Sequence, residues 1–277
     1  MHEDSAVKLN FWGVRGSIPT PQVENLSYGG NTACIEVRSN DQVLIFDGGT
    51  GIRNLGRLLV EESRAKKLTS HVFLTHFHWD HIQGIPFFEV LYQPESHVTF
   101  YSSCSLGPLE DKLEGVMSKP YFPVSFDMLK DSQRSFVEIE SAPVRLGDLQ
   151  IYSFPLNHPQ GAFGYRIESP HSVIVYASDL EHGNHGLDGV LREYAQGANI
   201  LIYDAQYTPK EYETHKGWGH STWLEATQVA RDAKVEHLIL FHHDPWHDDQ
   251  SLFNIVQNAR FQFENTIAAS EGWFAVL

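Results

Sequence analysis

Cysteine is scarce in this sequence, since only Cys34 and Cys104 occur among 277 residues. Two thiols do not imply the disulfide framework of a small secreted protein. Long apolar runs are also missing, and none approaches the roughly 20 residues that a membrane-spanning helix needs. The first five residues lack the basic and apolar segments of a secretory signal. We therefore expect a cytoplasmic protein that does not enter a membrane.

Positive charge is limited as well, because 20 Lys and Arg face 35 Asp and Glu, and the formal net charge is -15 at pH 7. Proteins that bind along an extended nucleic acid need clustered Lys and Arg to release counterions. An extended nucleic acid is therefore an unfavourable partner. Bound divalent cations would reverse the local charge, so a small anionic substrate is acceptable. A homodimer is left open.

Histidine, in contrast, is abundant, with sixteen residues. The densest group, His76, His78, Asp80 and His81, follows an apolar segment at 71–75 that is typical of a buried strand. Residues two apart in an extended chain point to the same side, so His76 and His78 can bind one ion together. Asp80 and His81 follow the turn and can serve a second ion. A polar turn is the alternative, but this density favours a divalent transition metal, most often zinc.

Polar residues of the same kinds end four further predicted strands: His158, Asp179, Asp204 and the pair His242-His243. Each of them alone is more often a turn residue than a ligand. Their repetition indicates that they converge at one edge of a sheet, where a cleft would form.

The predicted elements favour one α/β (α+β) domain over residues 1–277. Both halves are rich in strands and end in helices, and no linker separates them. This pattern indicates two mixed β-sheets packed face to face with helices outside, an αββα sandwich. Residues 104–135 are the least regular and contain several aromatic residues and prolines. They are expected either to form a lid over a site or to cover the edge of a sheet.

The His-x-His-x-Asp-His pattern resembles the metallo-β-lactamase superfamily. That family supplies one more His, a bridging Asp and a final His in this chain order, and His158, Asp179 and His242 match. The resemblance implies two Zn²⁺ ions, with Mn²⁺ or Fe as substitutes, and seven ligands: His76, His78 and His158 on one ion, Asp80, His81 and His242 on the other, and Asp179 between them. His243 competes for the last position, but the family's Leu-x-Leu-x-His pattern fits His242.

A second motif narrows the branch of the family. Residues 217–222, Gly-Trp-Gly-His-Ser-Thr, resemble the His-Ser-Thr motif of the ribonuclease Z and phosphodiesterase branch. The resemblance implies that His220 assists phosphodiester cleavage, and the alternative is an ordinary helix N-terminal turn. The chain contains no long glycine- and proline-bearing arm of the kind that ribonuclease Z uses to hold tRNA, which disfavours tRNA processing.

The implied reaction is attack of a metal-bound hydroxide on a phosphodiester, with Asp80 orienting the water and His220 donating a proton to the leaving alkoxide. Arg15 and Asn31, both in glycine-rich loops, are candidates for substrate binding. We predict a binuclear zinc phosphodiesterase that acts on a small cyclic nucleotide or another cyclic phosphate. The alternatives are an RNA 3′-end-processing nuclease, a thioester or lactam hydrolase, and a non-catalytic metal-binding sensor module.

Overall fold

Two mixed seven-stranded sheets form the centre of the computed structural model, which describes residues 6–63, 67–104, 107–129 and 132–277. The first sheet has the strand order β14-β1-β2-β3-β4-β5-β6, and the second has the order β13-β12-β11-β10-β9-β8-β7. The strands of the first sheet are β1 (Lys8–Gly13), β2 (Cys34–Ser39), β3 (Gln42–Phe46), β4 (Thr69–Leu74), β5 (His97–Ser102), β6 (Gln133–Glu138) and β14 (Phe274–Val276). The strands of the second are β7 (Val144–Leu146), β8 (Leu149–Leu156), β9 (Ala162–Glu168), β10 (Val173–Ala177), β11 (Ile200–Asp204), β12 (His237–Phe241) and β13 (Thr266–Ala268).

Helices lie on the outer faces of both sheets. Their bounds are α1 (Ile52–Ser63), α2 (Trp79–Ile82), α3 (Leu109–Val116), α4 (His185–Ala195), α5 (Pro209–His215), α6 (Trp223–Asp232) and α7 (Asp249–Gln262). Apolar residues recur at helical spacing in α1, so that Leu55 and Leu59 are buried while the charged residues face solvent. Within the described ranges, no helix is long and apolar enough to cross a membrane. The predicted αββα sandwich is confirmed.

The two sheets pack through a layer of aromatic rings. Phe46 on β3 lies 5.4 Å from the ring of Tyr165 and 6.1 Å from that of Tyr176, measured between centroids. Phe11 on β1 lies 5.9 Å from Phe241 on β12. Tilted and edge-on contacts of this kind are favourable beyond the apolar area that they bury. One hydrophobic core therefore spans both sheets.

The parallel strands β3 and β4 of the first sheet, and β10, β11 and β12 of the second, end at the same side of the sandwich. Parallel strands deliver the residues that follow them to one edge. The sequence places polar residues at these ends, so the fold itself assembles a polar cluster there.

The predicted lid segment contains α3, whose Leu113 packs with Phe126 in a hydrophobic cluster on the outer side of the first sheet. The Nζ of its Lys112 lies 5.0 Å from the centroid of the Phe77 ring. In the sequence, Phe77 lies between His76 and His78 of the metal motif. The described part of the segment thus covers the sheet and borders the motif, and its closure over a substrate stays a prediction.

Candidate metal centre

The structure brings all seven predicted ligands together at this edge. Their donor atoms form two groups, and within each group the donor atoms lie no more than 4.8 Å apart. The first group consists of His76, His78 and His158, and the second of Asp80, His81, Asp179 and His242.

The first group is made of three imidazoles. His78 Nδ1 lies 3.2 Å from His158 Nε2. Asp179 Oδ1 lies 3.7 Å from His76 Nε2 and 3.9 Å from His158 Nε2. His76 Nε2 is buried and has no hydrogen-bond partner within the described part of the chain. A buried nitrogen without a partner is costly unless it binds an ion, so this atom fits a metal ligand.

The second group combines imidazoles with carboxylates. Asp179 Oδ2 lies 3.0 Å from His81 Nε2 and 3.3 Å from His242 Nε2. Asp80 Oδ2 lies 3.4 Å and 3.1 Å from the same two nitrogens. Asp179 therefore turns one carboxylate oxygen toward each group, which is the placement that a bridging ligand requires.

Buried acceptors orient the imidazoles of the second group. His81 Nδ1 donates to Asp47 Oδ2 over 2.8 Å, and Tyr176 donates its hydroxyl to the same oxygen over 2.8 Å. His242 Nδ1 donates to Gln206 Oε1 over 2.9 Å. A hydrogen bond at one ring nitrogen fixes the tautomer and leaves the other nitrogen free to bind a metal.

The imidazoles of the first group are held in the same way, and His76 Nδ1 lies 2.9 Å from the buried Oγ1 of Thr75. His158 Nδ1 donates to the backbone carbonyl of Gly219 over 2.8 Å. His78 Nε2 lies 3.2 Å from Gln160 Oε1 on the surface, which leaves its Nδ1 for the cluster. Here again each ring has one nitrogen held and one presented to the centre.

The protonation states of the cluster fit a cation. Burial lowers the pKa of His76 well below its usual value, so the ring is neutral, as a metal ligand must be. Burial alone would raise the pKa of Asp179, but the imidazoles of His242 and His81 lower it well below its usual range. Against the effect of burial, the Asp179 carboxylate raises the pKa of His242 to about 9. His242 therefore holds a proton in the position where a divalent cation would bind. The proton and the cation would compete for the same lone pair of the ring nitrogen.

Backbone conformation also aims these side chains. Asp47, Asp179 and His242 have φ angles of 63°, 61° and 58°. Each lies within two residues of a strand end, in the left-handed region that costs a non-glycine residue roughly 1–3 kcal/mol. The reversal of the chain at these points turns the side chains into the cluster.

His243 points away from the cluster. Its Nε2 donates to the carbonyl of Ala269 over 2.9 Å, and its ring packs edge-on against Tyr28. The structure therefore directs His242 into the cluster, in the register that the sequence analysis preferred.

His220 lies beside the two groups. Its Nδ1 is 2.8 Å from Asp204 Oδ2, and its ring stacks on that of His242 with 4.9 Å between centroids. Asp204 Oδ1 in turn accepts from the backbone N–H of Gln206 over 3.1 Å. Asp204 was predicted as a polar strand end, and its contact with His220 was not predicted.

Arg15 and Asn31 are not brought into the cluster. The buried guanidinium of Arg15 donates through Nε to Gly29 O over 2.8 Å and through Nη1 to His247 O over 2.6 Å. Asn31 Nδ2 donates to Glu271 over 2.9 Å. Both residues tie the glycine-rich loops to the C-terminal part of the chain. The rigid fork of donors on Arg15 suits the converging carbonyls that it binds. This placement does not support the substrate-binding role predicted for them.

The roles of the two residues that orient ligands of the second group, Asp47 and Gln206, were not predicted from the sequence. Asp47 begins the segment Asp-Gly-Gly-Thr-Gly and directly follows an apolar strand, so its position resembled that of the predicted ligands. The role of Gln206 was not predicted, since it depends on a contact with a residue 36 positions away.

Comparison with known proteins identifies the family. The Beta-lactamase superfamily domain profile matches residues 43–243, more than half of the chain. An uncharacterized protein of Mycobacterium tuberculosis is 29% identical over 267 residues, covering 95% of this chain and 89% of that protein. Ribonuclease Z of Synechococcus sp. is 24% identical over 287 residues, covering 86% of this chain and 85% of the enzyme.

A solved structure shares the fold over almost the whole chain. The metallo-beta-lactamase fold protein YhfI of Bacillus subtilis superimposes with a TM-score of 0.74 at 18% identity, covering 99% of this chain and all of that one. Metal-dependent hydrolases, including nucleases and phosphodiesterases, make up this superfamily. The chain belongs to the metallo-β-lactamase superfamily, in its ribonuclease Z and phosphodiesterase-like branch.

Proposed function

We propose that this protein is a binuclear zinc phosphodiesterase that cleaves a small cyclic nucleotide or another cyclic phosphate. The observation that carries the proposal is the position of Asp179, whose two carboxylate oxygens face separate groups of donors. Such a ligand holds two cations side by side, the arrangement used to clamp the oxygens of a phosphodiester. The similarity to ribonuclease Z supports phosphodiester chemistry.

The donor atoms fit two zinc ions, with manganese or iron as substitutes, because they are imidazole nitrogens and carboxylate oxygens. Two bound ions would supply a nucleophile at neutral pH and positive charge beside the phosphoryl oxygens. Asp80 lies among the donors of the second ion and accepts the N–H of Ser17 at Oδ2 over 2.7 Å. We assign to its carboxylate a second task, which is to orient the attacking water.

We assign the proton donor to His220. Asp204 holds its Nδ1, so Nε2 is the atom that can carry a proton to the leaving oxygen. The ring lies 4.9 Å from that of His242 and 5.4 Å from that of His158, and so it is next to both donor groups. A positioned general acid typically contributes about 10²–10⁴ to the rate.

A small substrate suits the charge of the chain better than a long one. The formal net charge of -15 opposes the approach of a polynucleotide. The second candidate is an RNA 3′-end-processing nuclease, which the similarity to ribonuclease Z favours. The cytoplasm stays the proposed location, and a homodimer stays a proposal, on the sequence evidence given above.

One panel of assays tests the proposed function. Zinc-loaded protein would be incubated with cyclic nucleotides, linear dinucleotides, a tRNA precursor and a thioester, and bound metal would be measured in the same preparation. We expect about two metal ions per chain and the highest kcat/KM on a cyclic phosphate. Cleavage of the tRNA precursor alone would favour the nuclease. Hydrolysis of the thioester alone, or protein purified without chelator that holds no metal, would contradict the proposal.

A further inference from the structure

The turn that precedes His220 is bound by a carboxylate from another loop. Glu181 accepts the backbone N–H of Gly217 at both oxygens, over 2.7 Å and 3.0 Å, and the N–H of Gly219 at Oε2 over 3.0 Å. The hydroxyl of Tyr212 donates to Oε1 over 2.9 Å. A glycine turn with converging amides could hold a phosphate. These two amides, however, are already occupied by the chain's own carboxylate.

The same turn fixes a metal ligand. Gly219 has a φ angle of +89°, and a Cβ at this position would lie 2.5 Å from His158 Nδ1 and 2.4 Å from Pro159 Cδ. Only glycine permits this close approach. The approach places the carbonyl of Gly219 2.8 Å from His158 Nδ1, whose other nitrogen faces the first donor group. Any displacement of the turn therefore displaces the acceptor that aims His158.

The backbone of Glu181 binds the loop that carries His158. Its N–H donates to the carbonyl of Asn157 over 2.7 Å, and Asn157 Nδ2 donates to the carbonyl of Glu181 over 2.7 Å. Glu181 also lies two residues after Asp179, the proposed bridging ligand. One residue thus joins the loops of Asp179, His158 and His220.

We propose that Glu181 is a positioning residue of the metal centre, which holds the Gly217–Gly219 turn so that His158 is aimed at the first ion and His220 at the leaving group. The proposal rests on the metal centre proposed above. Glutamine at this position has the same shape but keeps one acceptor oxygen and gains donors. An oxygen at the Oε2 position could still accept both glycine amides, but the NH₂ group would then stand where Oε1 accepts the Gly217 N–H, and the two donors would repel and shift the turn.

Glu181→Gln should weaken the binding of one ion and leave the binding of the other unchanged. Substitution of residues that orient metal ligands typically lowers metal affinity by about 10–100-fold. We expect Glu181→Gln to cause a loss on this scale for the zinc ion that His158 binds. The other ion should keep its wild-type affinity, because within the described residues Asp47 and Gln206, which orient its ligands, do not contact Glu181.

The experiment titrates metal-free protein with zinc against a chromophoric chelator. Wild type, Glu181→Gln and Tyr212→Phe would be compared, since the last variant removes one donor to the carboxylate and keeps both glycine contacts. We expect Tyr212→Phe to bind both ions as the wild type does. In the metal-free protein, the Nδ1–H resonance of His158 should exchange with water faster in Glu181→Gln than in the other two proteins.

Three results would overturn the proposal. Glu181→Gln could bind both ions with wild-type affinity, or lose both in parallel with a lower Tm, or match Tyr212→Phe in every measurement. Should Glu181→Gln fail to fold, Glu181→Asp, which draws the carboxylate back by one methylene, takes its place with the same expected selectivity. Wild-type protein that binds two zinc ions and cleaves no phosphodiester would contradict the proposed function only, because the zinc titration would still test Glu181.

Discussion

The two donor groups of the metal centre differ in burial and in what supports them. Asp80, His81, Asp179 and His242 of the second group are all buried, whereas the first group combines the buried imidazoles of His76 and His158 with the half-buried His78. The second group is oriented by a buried carboxylate and a buried amide, and the first by the buried Thr75 hydroxyl, a backbone carbonyl and a surface glutamine. The centre therefore has a closed side and a side that is open to solvent.

Because of this difference, we expect the two ions to differ in binding strength and in their access to water and substrate. A closed site with charged partners holds its ion firmly, and an open site leaves room for water and substrate. We expect the ion of the second group to bind more tightly and that of the first to exchange more readily.

Removal of the Asp179 carboxylate should abolish the difference in affinity between the two ions. Asp179→Ala takes one donor from each group, so we expect loss of both ions and of hydrolysis. Elemental analysis and the zinc titration measure the loss. Asp179→Asn is the matched control for the backbone, since asparagine tolerates the left-handed conformation but cannot replace the charge. Retention of one ion at wild-type affinity in Asp179→Ala would show that the carboxylate does not bridge.

His220 should matter for the reaction and not for either ion. Without the imidazole no group protonates the leaving oxygen, so His220→Ala should lower cleavage of a phosphodiester with an alkoxide leaving group by about 10²–10⁴. Cleavage of bis-p-nitrophenyl phosphate should fall far less, because nitrophenolate leaves without a proton. Metal content and Tm should stay near those of the wild type. Equal losses on both substrates would remove the proton-donor role.

Asp47 should act mainly on the closed side, because it contacts His81 directly and reaches His76 of the first group only through the hydroxyl of Thr75. Asp47→Asn removes the carboxylate that orients His81, so we expect about 10–100-fold weaker binding of the tighter ion. Tyr176→Phe is the matched control, since it removes another donor to the same oxygen and leaves the His81 contact. Asp47→Asn and Glu181→Gln should thus each weaken the binding of a different ion. If Asp47→Asn weakened the same ion as Glu181→Gln, the division into two independently supported sides would be wrong.

The smallest effect is expected at His243, the neighbour of a ligand. His243→Asn removes the donor to the carbonyl of Ala269 and leaves a buried acceptor, so the free energy of unfolding should fall by about 1–3 kcal/mol. Metal content should not change. Chemical denaturation and elemental analysis measure the two quantities, with His242→Asn as the comparison that should lose metal. Loss of metal from His243→Asn would place the final ligand one residue later.

The sequence was informative wherever an apolar run ended in a polar residue. Such patterns predicted most strands, the sandwich and the edge at which the ligands meet, because the period of side chains in a strand and the direction of parallel strands are local properties. Residues 80–92 have the apolar pattern of a short helix that is interrupted at Pro86. Only α2 is α-helical there, since Pro86 interrupts the pattern and 3₁₀ turns follow. The short elements α5, β13 and β14 were not predicted.

Contacts between distant loops could not be predicted in the same way. Arg15 lies in a glycine-rich loop, and its sequence context gave no sign that the guanidinium turns inward to carbonyls more than 200 residues away. Glu181 stood in a polar stretch after a strand, and its role depends on two glycine amides 36 and 38 residues later. These roles are set by tertiary packing, which a residue pattern along one strand or helix does not contain.

The positive φ angles of Asp47, Asp179 and His242 also tie the folded population of this protein to the metal supply. Each such residue costs roughly 1–3 kcal/mol of stability, and the buried acidic cluster adds to that cost when no cation is bound. An ion that binds only the folded chain adds about 2.7 kcal/mol when its free concentration is 100 times its Kd. Metal starvation would thus lower the amount of protein as well as its activity, because more of the chain would be unfolded and open to proteolysis.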